Sequence, residues 1–206
     1  MRSSPLRWLV PSALGLLIAV ACSRLPFGQP DAPVGTDLGG TPAPDFTLSN
    51  QDGAAVSLHD LQGHAVALVF LYTDCPDLCP LTAEKMRAAY LQLPSSDQAR
   101  VALVAVSVDP SRDTQEQRTA FVHAHRLDGV LQYLNGDLAD VYAVWRSYAI
   151  GVERVPDDPA ATNYQVDHNA VTYVIDAHGH EQELLDDEDY TPEQLAGDLR
   201  LALRQG

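Results

Sequence analysis

The sequence predicts an α/β fold, a mixed central sheet flanked by helices with an added N-terminal β-hairpin. Three observations carry that prediction. Two continuous apolar runs, 65–72 and 101–108, each lead into a helical pattern, the order expected of strands covered on both faces. A late run, Val171–Ile175, is followed by a glycine-containing turn and a further strand pattern, which predicts an antiparallel hairpin. A chain of 206 residues with 46% apolar and 20% charged residues has room for one packed core of ordinary composition.

In chain order, Phe46 to Leu48 and Val56 to Leu58 flank the turn residues Asn50, Asp52 and Gly53 and predict the first hairpin. After the strand at 65–72 comes Cys75-Pro76-Asp77-Leu78-Cys79-Pro80, then a helical pattern through Leu81, Met86, Ala89, Tyr90 and Leu93. The strand from Val101 to Val108 ends in Asp109-Pro110, and Thr114 with Gln117 predicts a capping box on the next helix. Asp137 is expected to cap a helix carrying Val141, Trp145 and Tyr148. The turn Asp176-Ala177-His178-Gly179-His180 joins the late strand to an antiparallel one, Glu181 to Leu185. Thr191-Pro192-Glu193-Gln194 opens the last helix with a capping box and proline at its first position. Strands that alternate with helices and then form a hairpin describe a thioredoxin-like sandwich, expected over residues 44–206.

The N-terminus has a different character. Arg2 and Arg7, the apolar stretch from Leu14 to Val20 and the small residues before Cys22 make residues 1–21 a signal peptide in expectation. Pro11, Ser12 and Arg24 keep the apolar run short of the roughly 20 residues a membrane span needs. Cys22 stands where bacterial lipoproteins carry their lipid-modified cysteine; cleavage by the ordinary signal peptidase is the alternative, because Ala19 occupies a position that usually holds a branched aliphatic. Residues 22–43, rich in proline and glycine, read as a flexible linker. The protein is therefore expected on an extracytoplasmic face, such as the periplasm, tethered to membrane through lipid alone. A formal net charge of −15 repels phosphate backbones and anionic headgroups, which argues against nucleic acid as a partner.

If Cys22 is lipidated, Cys75 and Cys79 are the two cysteines left to the folded part. A bridge between them would close a loop too short to stabilise the fold much, so chemistry is the better reading. On a helix, positions i and i+4 share a face, with Cα atoms roughly 6 Å apart and inside the window a disulfide tolerates. The pair can form a redox disulfide, or both sulfurs can point at one metal. A helix N-terminus favours thiolate over thiol, and thiolates attack disulfides and bind soft ions. Two thiolates with an imidazole suit copper, and zinc is not excluded by spacing. His168 is the candidate third ligand, since the loop entering the late strand lies beside the active-site cysteines of thioredoxin-like folds. Ordinary thioredoxins carry a cis-proline there, where this chain has Asp167-His168-Asn169. The alternative is a half-buried loop histidine bonded to backbone.

The segments Cys75-Pro76-Asp77-Leu78-Cys79-Pro80, Val106-Ser107-Val108-Asp109-Pro110-Ser111-Arg112-Asp113-Thr114 and Asp167-His168 resemble the three signature segments of the Sco/SenC family. The resemblance runs from about Pro44 to the C-terminus. It implies a thioredoxin-fold copper-binding protein that assembles the copper A centre of cytochrome c oxidase, with Cys75, Cys79 and His168 as metal ligands. Its implied partners are an apo cytochrome c oxidase subunit or another copper acceptor or donor. The competing function is a thiol-disulfide oxidoreductase, or a redox or copper sensor, using the same two cysteines; the C-x-x-x-C spacing and the missing proline count against a dedicated reductase. Elsewhere, the resemblance implies a support role near the site for Asp109, Arg112 and Asp113, but helix caps and a surface ion pair explain them as well and are the preferred reading; Asp186 to Asp189 read as a solvated acidic loop. His178 and His180 flank the hairpin glycine and have the chemistry to touch a metal, but solvated turn residues are the preferred reading, while His123 and His125 are two apart and share no helix face.

Overall fold

The computed structural model describes residues 35–156 and 163–205. The expected signal peptide, Cys22 and most of the expected linker lie outside the described residues. The strands are β1 (Thr36–Pro42), β2 (Thr47–Ser49), β3 (Ala55–Ser57), β4 (Ala65–Leu71), β5 (Val101–Ser107), β6 (Leu131–Leu134), β7 (Val152–Val155), β8 (Gln165–His168), β9 (Val171–Ile175) and β10 (His180–Asp186). The helices are α1 (Leu78–Gln92), α2 (Ser95–Gln98), α3 (Gln115–Ala124), α4 (Leu138–Ser147) and α5 (Pro192–Gln205), with one 3₁₀ turn at His59–Leu61.

Six strands form the central sheet in the order β1-β10-β9-β4-β5-β6. β4 and β5 run parallel in register from Ala65 opposite Val101 to Leu71 opposite Ser107, and β6 extends the parallel half. β9, β10 and β1 add the antiparallel half. Every residue of β4 is buried, as its unbroken apolar sequence demands of a central strand. α1 packs on α5, and α5 lies against β4 and β9.

One part of the linker expectation is corrected. Thr36–Pro42 is an edge strand paired to β10, so the folded domain includes residues before Pro44. Its Thr-Asp-Leu-Gly-Gly-Thr-Pro sequence carries almost no apolar signal because an edge strand buries little and is held by main-chain bonds. The hairpin β2–β3 forms as expected, with the Asn50 side chain accepting from the Asp52 and Ala54 amides across its turn. Arg118 of α3, itself buried, anchors it by donating to the carbonyls of Ser49 and Tyr133.

The caps separate in the same way. Thr191 and Gln194 exchange both bonds of a capping box at α5, and Thr114 accepts from the Gln117 amide at α3. Asp137 occupies the N-cap of α4, yet its side chain makes no capping bond. The core beside the sheet is aromatic: Tyr148 packs on Phe46, Phe70 and Tyr173, with its hydroxyl donating to the Pro44 carbonyl at 2.7 Å. The Tyr173 hydroxyl donates to the Tyr148 carbonyl at 2.6 Å, so the rings are buried without stranding a polar atom.

The acidic segment after β10 is a second correction. Asp187 is 1% exposed and accepts from the Thr172 hydroxyl at 2.6 Å, while Lys85 of α1 donates to its main-chain carbonyl. Burial pushes its carboxyl up to about 7. Asp198 of α5 is buried beside Glu183 of β10, and burial together with that neighbouring acid also raises it to about 7.

A carboxyl raised on folding prefers its neutral form in the native state. The stability it adds is therefore complete below the ordinary value of 3.8 and is lost as pH climbs through about 7. Asp198→Asn is expected to shrink the fall in unfolding free energy between pH 5 and pH 8 by on the order of 1 kcal/mol. Denaturant melts of both proteins at the two pH values check this; an unchanged difference refutes it.

Candidate metal and thiol centre

The centre begins where β4 ends. Tyr72, still buried, closes the strand, and Thr73 turns the chain out of the sheet. Asp113 holds that exit: its carboxylate accepts from the Thr73 amide at 2.8 Å and the Thr73 hydroxyl at 2.7 Å. It also accepts from the Ser107 hydroxyl at 2.6 Å and the Tyr133 hydroxyl at 3.1 Å. Asp113 is thus neither a cap nor a surface charge; Thr114 performs the capping and Asp113 is fully enclosed. Burial outweighs these donors and raises its carboxyl.

Cys75 precedes α1 and Cys79 lies in its first turn, so the pair does not share a helix face as the spacing suggests. The chain folds back before the N-cap at Asp77, and the Cys79 amide donates to the Cys75 sulfur at 3.3 Å. Both thiols are free. Their environments differ sharply. The Cys79 thiol donates to Cys75, the largest influence lowering the latter to about 5 against the opposing effect of burial; the Cys79 and Asp77 amides and the Tyr72 hydroxyl add to it. Cys79 is pushed far up, first because its proton is held by Cys75 and then because it is 1% exposed. The result is one accessible thiolate and one buried thiol.

His168 ends β8 and faces the same cleft, which measures about 250 Å³ and is lined by Tyr72, Cys75, Pro76, Leu78, Val166 and His168 among others. Its ring packs edge-on to Tyr72, and Nδ1 lies 2.9 Å from the Asn169 carbonyl. A carbonyl can only accept, so Nδ1 carries the hydrogen and Nε2 keeps its lone pair. Burial lowers the imidazole below its ordinary value, which favours this neutral ring, while the Cys75 charge pulls the other way. A ligand imidazole fixed through its other nitrogen is the usual arrangement at metal sites. The Cys79 amide and thiol are turned towards the Cys75 sulfur, and Cys75 and His168 line the same cleft. Among the described residues, no three His, Cys, Asp or Glu side chains are already gathered around a point that could hold a metal ion.

The rim was legible from sequence only in part, as a hint of support from Asp109 and Arg112. Arg112 pairs with Asp109 and with Asp74, at 2.9 Å for the latter, and donates to the Tyr164 carbonyl at 3.0 Å. Its guanidinium stacks 3.8 Å from the Tyr164 ring centroid and reaches towards Tyr72. The expected surface ion pair is therefore a clamp joining the turn before Cys75 to the β7–β8 hairpin (Val152 opposite His168). Tyr72 and Tyr164 had no signal beyond being apolar; only the fold shows that their hydroxyls face polar partners.

The fold and centre together define a class: an α/β domain with a reactive thiolate–thiol pair at a helix mouth and an imidazole on the facing strand. The SCO1/SenC family model matches residues 36–204, and the chain belongs to that family. It is 33% identical over 154 residues to Protein SenC of Rhodobacter capsulatus, covering 73% of this chain and 66% of that one. The chain spans between 38% and 66% of the length of the curated relatives it matches. Among solved structures it resembles copper-bound ScoI of Bradyrhizobium japonicum, with 31% identity, a TM-score of 0.65, and 78% of this chain and 99% of that one covered. It also resembles apo Sco1 of Thermus thermophilus, with 30% identity, a TM-score of 0.73, and coverage of 84% and 99%. The fold is thioredoxin-like, as expected.

The thiol asymmetry is measurable. Alkylation of Cys75 by iodoacetamide should titrate with a midpoint near pH 5. In Cys79→Ala that midpoint should move towards the ordinary thiol value of about 8.5, because the leading donor is gone. An unshifted midpoint would show that the helix amides alone sustain the thiolate.

Proposed function

We propose that this protein is a copper metallochaperone. It holds one copper ion between the Cys75 and Cys79 sulfurs and the His168 imidazole, and passes it to the copper A site of cytochrome c oxidase or to another copper acceptor. The observation that carries this reading is a shallow cleft lined by the Cys75 thiolate and a neutral His168 imidazole with a free Nε2, with the Cys79 thiol buried directly behind and hydrogen-bonded to Cys75. That donor set suits copper, which takes soft sulfur and borderline nitrogen together. The likeness to a copper-bound ScoI supports the same ion.

Loading requires Cys79 to give up its proton, and the positive ion then occupies the place that proton held between the sulfurs. His168 completes the set by turning Nε2 onto the ion while Nδ1 keeps its carbonyl. An open cleft permits transfer by ligand exchange: an acceptor's cysteine or histidine can replace one donor before the others release. We place this activity on an extracytoplasmic membrane face, with lipid on Cys22 as the tether; the signal-like residues 1–21 support that setting.

The thiol asymmetry favours a second reading, disulfide reduction. The Cys75 thiolate attacks a partner disulfide and releases one partner thiolate; Cys79 then loses its proton, attacks the mixed disulfide and frees the second. Each turnover leaves Cys75 and Cys79 oxidised to a disulfide.

Competition titration of reduced protein with Cu(I) should give one ion per chain. His168→Ala should weaken it by at least about 10-fold and alter the thiolate-to-copper absorption. Unchanged affinity and spectrum remove His168 from the site and the metallochaperone reading with it. Fast reduction of a model disulfide by copper-free protein would promote the second reading.

A further inference from the structure

Three of the seven histidines, His59, His178 and His180, line one surface cavity of about 190 Å³, and Asp45 lines it with them. The cavity lies at the far end of the sheet from the thiols. His168 precedes β9 and His178 follows it, and five strand residues put roughly 17 Å between those ends.

The turn that carries two of these rings is rigidly built. Asp176, 3% exposed, accepts from the amides of both His178 and His180 at 2.9 Å through one carboxylate oxygen. The Gln182 amide holds the other oxygen at 2.8 Å, and His180 Nδ1 stands 3.6 Å from it. The Asp176 carboxylate thus stands on the Nδ1 side of the His180 ring, just beyond hydrogen-bond length. Gly179 adopts φ 83°, and main-chain bonds from Ala43 to Gly179 and from Gly63 to Ala177 clamp the turn against β1 and the segment bearing His59. His59 is in turn fixed by its own amide, which donates to Asp45 at 3.0 Å.

The His178 and His180 ring centroids are 6.3 Å apart. Metal–nitrogen bonds of roughly 2.0–2.1 Å place two rings on one ion with centroids about 5–6 Å apart, close to the spacing these rings already have. The side chains as they stand gather no three donors, and closure uses side-chain torsions while the backbone stays fixed.

We infer that this cavity is a second metal site, for a divalent first-row ion such as Cu(II), Ni(II) or Zn(II), with His178 and His180 as the primary ligands and His59 and Asp45 completing the shell. Imidazoles with one carboxylate select such ions, in contrast to the sulfur-rich cleft at the other end. The Asp176 carboxylate stands on the side of the His180 ring where ligand histidines carry an orienting partner.

The test begins with full-length protein in which Cys75→Ser, Cys79→Ser and His168→Ala remove the first centre. Titrated with Cu(II), it should bind one ion with nitrogen ligation in its electron paramagnetic resonance spectrum. Adding His178→Ala and His180→Ala should weaken binding by about 10–100-fold. Should the buried Cys79 substitution compromise folding, Zn(II) stoichiometry is read on the chain with native thiols, where His178→Ala/His180→Ala should lower it by one ion. Absence of binding in the thiol-free protein, or binding and stoichiometry that survive loss of both turn histidines, overturns the proposal and leaves the copper reading of the thiol cleft intact.

Discussion

A thiolate cannot stay half-buried beside an apolar sheet unless hydrogen-bond donors are aimed at it, and much of this structure serves that requirement. Cys75 receives the Cys79 thiol, two main-chain amides at the mouth of α1 and the Tyr72 hydroxyl. None of those donors is adjacent by accident. The buried strand β4 delivers Tyr72, the turn before α1 folds the chain so that the Cys79 amide reaches back to the sulfur, and Asp113 locks the exit through four bonds.

The same enclosure produces the contrast between the sulfurs. One proton shared between two nearby thiols settles on the sulfur with fewer donors, which is the buried one. A soft cation and a proton then compete for the same position, so metal binding and thiol chemistry are alternative uses of one electrostatic arrangement. The facing imidazole is a neutral ring with one nitrogen already satisfied, which leaves its other lone pair unused by the protein's own backbone at this end of the cleft.

The two ends of the sheet carry different donors. Sulfur gathers where β4 feeds α1, and imidazole gathers where β9 turns into β10. Both depend on a buried carboxylate that pins main-chain amides: Asp113 at the first and Asp176 at the second. In each case the acid is itself no ligand candidate but sets the backbone from which candidates project.

By itself the sequence determined the α/β order, the first hairpin and the thioredoxin-like class, because apolar runs and turn residues are local patterns; it singled out Cys75, Cys79 and His168 through the C-x-x-x-C and Asp-His segments, and Cys75 and His168 line one cleft. It said little of β1 and β7–β8, whose short or polar strands bury too little to leave a pattern. It left Asp113 and Arg112 between a support role at the site and plain caps or surface pairing, and it misjudged Asp187, since a charged residue in a solvated loop and one enclosed by hydroxyls read alike until the chain is folded. Only the tertiary structure decided that Cys75 stands ahead of the helix, that its charge is borne by four donors, and that His59 lines one cavity with His178 and His180, because each of these joins residues far apart in sequence or depends on the direction a loop takes.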